Sequence, residues 1–136
     1  MRRTRVAILI SGRGSNMAAL MAAAKDPAYP AQVVGVISDT ADAKGLETAE
    51  RGGVAARAVV PAAGQDRAAH EAALQSVLTD LDAELVCLAG YMRRLSPEFT
   101  RRWEGRLINI HPSLLPLYRG LDTHRRALAD GVRLHG

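Results

Sequence analysis

Short apolar runs alternate along this chain with stretches whose apolar residues recur every three or four positions. Val6-Ala7-Ile8-Leu9-Ile10 is unbroken hydrocarbon, the pattern of a strand buried on both faces, and predicts a first strand over 5–10. Met17, Leu20, Met21 and Ala24 then fall on one face of a helix over 15–25, so the two methionines read as packing residues. Further strands are predicted at 32–37, 56–60, 85–89 and 106–110, with helices at 44–51, 66–81 and from Ser96 to Gly105. Gly52-Gly53 stops the first of these helices, and Leu74, Val77, Leu78 and Leu81 give the second its apolar stripe. Ser96-Pro97-Glu98 supplies an N-cap, a proline at the first helical position and an acid in the first turn. A last helix is predicted over 122–130, after a proline-bounded loop. Strands alternating with helices specify βαβ units and a doubly wound α/β fold with a parallel sheet. In such sheets ligands bind beyond the carboxyl ends of the strands, where the winding reverses. No repeat, low-complexity tract or linker interrupts the 136 residues, so a single domain is expected.

Composition narrows the function classes. The chain is 48% hydrophobic and 24% charged, which fits an ordinary globular core and excludes wholesale disorder. No apolar window approaches the roughly 18 residues a membrane span needs. The basic start Met1-Arg2-Arg3-Thr4-Arg5 precedes an apolar run too short for a signal peptide. A cytoplasmic protein that binds no membrane is expected. Cys87, inside Leu85-Val86-Cys87-Leu88-Ala89, is the one cysteine. It reads as a buried strand residue, with neither a disulfide framework nor a metal cluster around it. The net charge of +4 comes from scattered side chains, all arginine except Lys25 and Lys44. With aromatic residues at only 4%, a stacking platform for bases is hard to assemble. An anionic small substrate explains the charge better than nucleic acid does.

Four segments after strands are chemically unusual. Ser11-Gly12-Arg13-Gly14-Ser15-Asn16 follows the first strand and opens a helix. Its glycines permit close backbone approach, and free N–H groups at a helix start bind phosphate. The same residues also fit a plain tight turn with Ser15 or Asn16 as the cap. Asn109 and His111 share a face at the carboxyl end of the fifth strand, which Pro112 stops. Such a pair suits acyl transfer, where an asparagine N–H and an imidazolium support the oxygen on which charge grows and the histidine relays a proton. The alternative is a pair satisfied by loop backbone. Gly90-Tyr91-Met92-Arg93-Arg94-Leu95 fits either a wall for a flat heteroaromatic ligand or a surface loop. Arg67, beside Asp66 at a helix start, reads by itself as a solvated arginine. His70, His124 and His135 lack metal-ligand spacing, and His70 reads as structural or exposed. The serines lack a nucleophile elbow.

Taken together these segments resemble the folate-dependent formyltransferases of the glycinamide ribonucleotide type. The resemblance runs from Val6 to Gly136 and rests on the residues from Ile10 to Asn16, Leu88-Ala89-Gly90-Tyr91-Met92-Arg93, Asn109-Ile110-His111-Pro112-Ser113-Leu114-Leu115-Pro116, and Thr123-His124-Arg125-Arg126-Ala127-Leu128. The Asn-x-His-Pro-Ser-Leu-Leu-Pro string is similar in methionyl-tRNA formyltransferase and formyltetrahydrofolate deformylase. The Gly-Ser-Asn turn points to the ribonucleotide-using member. The resemblance implies a Rossmann-like three-layer sandwich with a mainly parallel sheet, using 10-formyltetrahydrofolate as co-substrate and no metal. It implies that Gly14, Ser15 and Asn16 hold the substrate phosphate, that Arg67, Met92, Arg93, Arg94, Leu95 and Asn109 bind folate, and that Asn109 and His111 are catalytic. Homodimerisation is left open. Family members continue past the position of Gly136 with an aspartate that partners the histidine. The expectation is therefore an N-terminal formyltransferase domain truncated at its C-terminus, with weak or no turnover alone. A deformylase, a tRNA-directed transferase and a non-catalytic nucleotide-binding fragment stand as alternatives.

Overall fold

A computed structural model describes residues 2–110 together with Ala129 and Asp130. Five strands form one sheet: β1 (Thr4–Ile10), β2 (Ala31–Ser38), β3 (Ala56–Ala58), β4 (Leu85–Leu88) and β5 (Leu107–Asn109). Every pairing is parallel and the order is β3-β2-β1-β4-β5. Helices α1 (Ser15–Ala24), α2 (Lys44–Arg51), α3 (Arg67–Asp80) and α4 (Pro97–Arg102) make the crossovers.

The unbroken run in β1 has a direct cause, because the central strand is covered on both sides. Val6, Ile8 and Ile10 pack with Met17 and Met21 of α1 and Ala49 of α2. Ala7 and Leu9 pack with Leu74 and Leu78 of α3 and with Phe99 and Trp103 at α4. The result is a three-layer α/β sandwich, as the sequence pattern specifies. Winding reverses between β1 and β4, whose registers run from Val6↔Leu85 to Leu9↔Leu88. The carboxyl ends of these two strands define the switch point.

Differences from the sequence reading lie at boundaries. β3 ends at Ala58, two residues early, although Val59 N still donates to Ser38 O at 2.8 Å. β5 spans only Leu107–Asn109, with flanking bonds from Val86 N to Arg106 O and from Ile110 N to Leu88 O. α4 closes at Arg102, because Gly105 turns the chain at φ +76°. Asp66 is the N-cap of α3 rather than its first residue, its side chain accepting from Ala69 N at 2.7 Å. α1 is capped by Gly14, not by Ser15 or Asn16. Of the helix expected over 122–130, Ala129 and Asp130 are helical and the rest lies outside the described residues. No described helix is long and apolar enough to cross a membrane.

Candidate active site at the sheet switch point

Gly14 adopts φ +71° and ψ +43°, a left-handed conformation that costs an L-residue with a Cβ roughly 1–2 kcal/mol. From there α1 starts with no side-chain cap and no acid in its first turn. The N–H groups of that turn have no intrahelical acceptor, and the exposed Ser15 and Asn16 flank them. The turn is buttressed from below by α2. Gly45 N donates to Gly12 O at 3.0 Å, and a Cβ at Gly45 would meet Ile10 Cδ1 at 2.3 Å and Gly12 O at 3.0 Å.

Across the switch point, the chain leaves β4 through Ala89 and Gly90 and returns over the first turn. Met92 N donates to Ser11 Oγ at 2.8 Å, joining the two segments. Between them lies a cleft of about 380 Å³ lined by Ser11 to Asn16 on one side and Ala89, Gly90 and Met92 on the other. Met92 is 74% exposed, a large apolar side chain open to solvent at the rim of the cleft. Tyr91 is half-buried; burial, reinforced by the charge of Asp39, pushes its phenol up to about 12.

A larger groove of about 660 Å³ runs between α3 and α4. Arg67, Glu71, Phe99 and Arg102 line it. The residues assigned to folate from the sequence are thus divided: Met92 borders the cleft and Arg67 the groove. Leu95 packs against the α3–α4 core, Arg94 is exposed, and Arg93 lies close enough to Tyr91 to oppose the rise of its pKa. Asn109 is exposed at the end of β5. Leu107 packs on the α3–α4 side, and a period of two puts Asn109 on that same side. Asn109 pairs in register with Leu88, and Leu88 with Leu9, so Asn109 stands two strand spacings, roughly 10 Å, from β1. His111 lies outside the described residues.

Gly45 and Glu71 escaped sequence reasoning, and Ser11, though inside the first segment singled out, was given no role of its own. A glycine inside a helical stretch, where it costs about 1 kcal/mol, was the available signal for Gly45; nothing signalled Glu71, or the bond of Ser11 to Met92 N. His70 is buried in the first turn of α3, its Nε2 2.8 Å from Val59 O, so its role is structural. Cys87 is buried and free, and burial pushes its thiol pKa up. Among the described residues no group of three His, Cys, Asp or Glu side chains is placed to hold a metal.

The family model described as "Formyl transferase" matches residues 4–136. The chain belongs to the formyl transferase family. Within that family it is 44% identical over 131 residues to the phosphoribosylglycinamide formyltransferase of Escherichia coli K12, which covers 96% of this chain and 62% of that enzyme. It is 43% identical over 135 residues to the trifunctional purine biosynthetic protein adenosine-3 of Bos taurus, covering 99% of this chain and 13% of that protein. The crystal structure of phosphoribosylglycinamide formyltransferase from Brucella melitensis superimposes with a TM-score of 0.93 at 50% identity, covering 99% of this chain and 70% of that one. This formyl transferase chain therefore spans a minor part of the trifunctional relative and somewhat under two thirds of the E. coli enzyme.

Proposed function

We propose that this formyl transferase domain moves the formyl group of 10-formyltetrahydrofolate onto the amine of glycinamide ribonucleotide, in purine biosynthesis in the cytoplasm. The observation that carries the reading is the start of α1 at Gly14, which no side chain caps, facing Gly90 and Met92 across a cleft at the switch point. First-turn N–H groups with no competing acid suit a ribonucleotide phosphate, with Gly14, Ser15 and Asn16 as its holders. The exposed Met92 and the backbone from Arg93 to Leu95 suit the flat, apolar and hydrogen-bonding face of a pterin, and Arg67 suits an anionic part of the folate.

In this reading Asn109 and His111 are the catalytic pair. The Asn109 carboxamide donates to the formyl oxygen as negative charge grows on it, and His111 takes the proton released by the attacking amine. The protein's contribution is orientation and electrostatics, with no metal. Names of relatives at 44–50% identity support the ribonucleotide as acceptor.

The test is formyl transfer by the protein carrying these residues, compared with Asn109→Ala and His111→Ala. Loss of one oxyanion donor is expected to lower kcat about 10²- to 10³-fold, and loss of the proton relay by about 10²- to 10⁴-fold. Omitting the ribonucleotide should stop release of the formyl group, since a hydrolytic enzyme would continue without it. Equal rates in all three proteins would refute the mechanism.

A further inference from the structure

Glu71 takes no part in the chemistry above, yet it is 9% exposed and spends both carboxylate oxygens on one residue. Ser96 N donates to Glu71 Oε2 at 2.7 Å and Ser96 Oγ donates to Glu71 Oε1. The same Ser96 Oγ accepts from Phe99 N at 3.2 Å, capping α4. Capping requires only the serine oxygen. Glu71 therefore adds something the helix does not need, which is a fixed place for the cap relative to α3.

We propose that Glu71 is a positioning residue for the segment from Gly90 to Leu95, holding its downstream end while Ser11 holds its upstream end. The proposal rests on the reading of Met92 to Leu95 as the folate wall. The segment leaves β4 with Gly90 at φ +80°, is tied to β1 by the Met92–Ser11 bond, and has no strand or helix of its own before Pro97. Tyr91 and Leu95 pack against the α3–α4 core, and the backbone between them is tied by polar bonds at its two ends. Ser96 is the downstream anchor, and its backbone N–H and hydroxyl both point to one carboxylate. A carboxylate is acceptor-only and matches two donors without competition. Glutamine at the same place would have to present its N–H₂ to the serine hydroxyl, which then loses the hydrogen bond it now donates. Arg67, one turn earlier on α3, lines the same groove as Glu71, so α3 carries both a ligand-facing cation and the clamp that places the opposing segment.

The test compares wild type, Glu71→Ala and Glu71→Gln with Gln75→Ala in the protein carrying these residues. Gln75→Ala breaks the bond from Trp103 Nε1 to Gln75 Oε1 at 2.9 Å, loosening the same α3–α4 pair one turn away without touching Ser96. Amide exchange over 91–99 should rise about tenfold in Glu71→Ala, with the KM for formyl-folate up about tenfold while kcat and the ribonucleotide KM stay within about twofold. Glu71→Gln should fall between, and it serves if the alanine variant does not fold. Gln75→Ala should lower Tm and leave both KM values unchanged. Unaltered exchange over 91–99 in both Glu71 variants overturns the proposal, as does a folate KM that rises equally in Gln75→Ala. Raised exchange with an unchanged folate KM overturns its link to the folate wall. Failure of the formyl-transfer reading shows separately, as absence of turnover by the wild type.

Discussion

Gly45→Ala opposes two effects whose sizes can be weighed. Gly45 lies in the first turn of α2, and alanine there gains about 1 kcal/mol of helix propensity. Against this, its Cβ would stand 2.3 Å from Ile10 Cδ1, 3.0 Å from Gly12 O and 3.2 Å from Arg13 O. The isoleucine methyl belongs to a fully buried side chain in the core, so rotating it away disturbs packing on β1. The two carbonyls are backbone and cannot rotate alone; α2 and the first turn must separate. Overpacking of this kind costs about 1–3 kcal/mol, and stretching the 3.0 Å bond from Gly45 N to Gly12 O costs about 1 kcal/mol more. A net destabilisation of about 2 kcal/mol is expected, in urea unfolding followed by circular dichroism. Ribonucleotide affinity should weaken too, because the displaced turn carries Gly14 and Ser15. An alanine variant as stable as wild type, or more so, would show that propensity wins and that α2 does not buttress the turn.

Three further outcomes follow from the same geometry. Tyr91 should ionise near 12, against about 10 for an unfolded tyrosine. Since the folded state holds this proton more tightly, the stability it confers is present below pH 10 and lost as pH rises towards 12. Urea midpoints of wild type should fall relative to Tyr91→Phe across that window, and parallel profiles would sink the assignment. Arg67→Ala removes an exposed side chain, so stability should change by no more than about 0.5 kcal/mol. The KM for formyl-folate should nevertheless rise several-fold, and an unchanged KM would return Arg67 to the solvated role its sequence suggests.

The centre of the fold was legible because burial leaves little freedom there. A five-residue apolar run reads as a strand buried on both faces, which its central place in the sheet explains. The edges were less legible. Among the described residues β3 and β5 each have one neighbour, so their lengths depend on which backbone groups that neighbour still reaches, and sequence does not display that. The cap of α1 was left open between two readings, and the structure decides it for a chemical reason. Serine and asparagine are good caps, yet Gly14 takes that place in a left-handed conformation, and Ser15 and Asn16 enter the helix with their side chains outward. For the site, strand-end logic located the Gly14 turn, Met92 and Asn109 at the carboxyl end of the sheet. It did not separate Met92 from Arg67, which border different cavities, because that distinction depends on how α3 and α4 pack. Nor does any local pattern announce a glutamate that meets a serine 25 residues away.

The glycine that caps α1 and the glycine that buttresses the turn have a common origin. A helix start capped by its own serine would be more stable in isolation and would have one of its first-turn N–H groups already occupied. Here the first turn of α1 forgoes a side-chain cap, Gly14 accepts a conformation closed to most residues, and α2 approaches close enough that Gly45 has no room for a side chain. Each departure from local preference exposes backbone donors or fixes them in place, and all three occur within one turn of the switch point. The surrounding sandwich, fully packed on both faces of β1, supplies the stability that lets the turn be locally unfavourable. A site built this way depends more on its glycines than on the side chains that flank them, because the glycines determine where the N–H groups point.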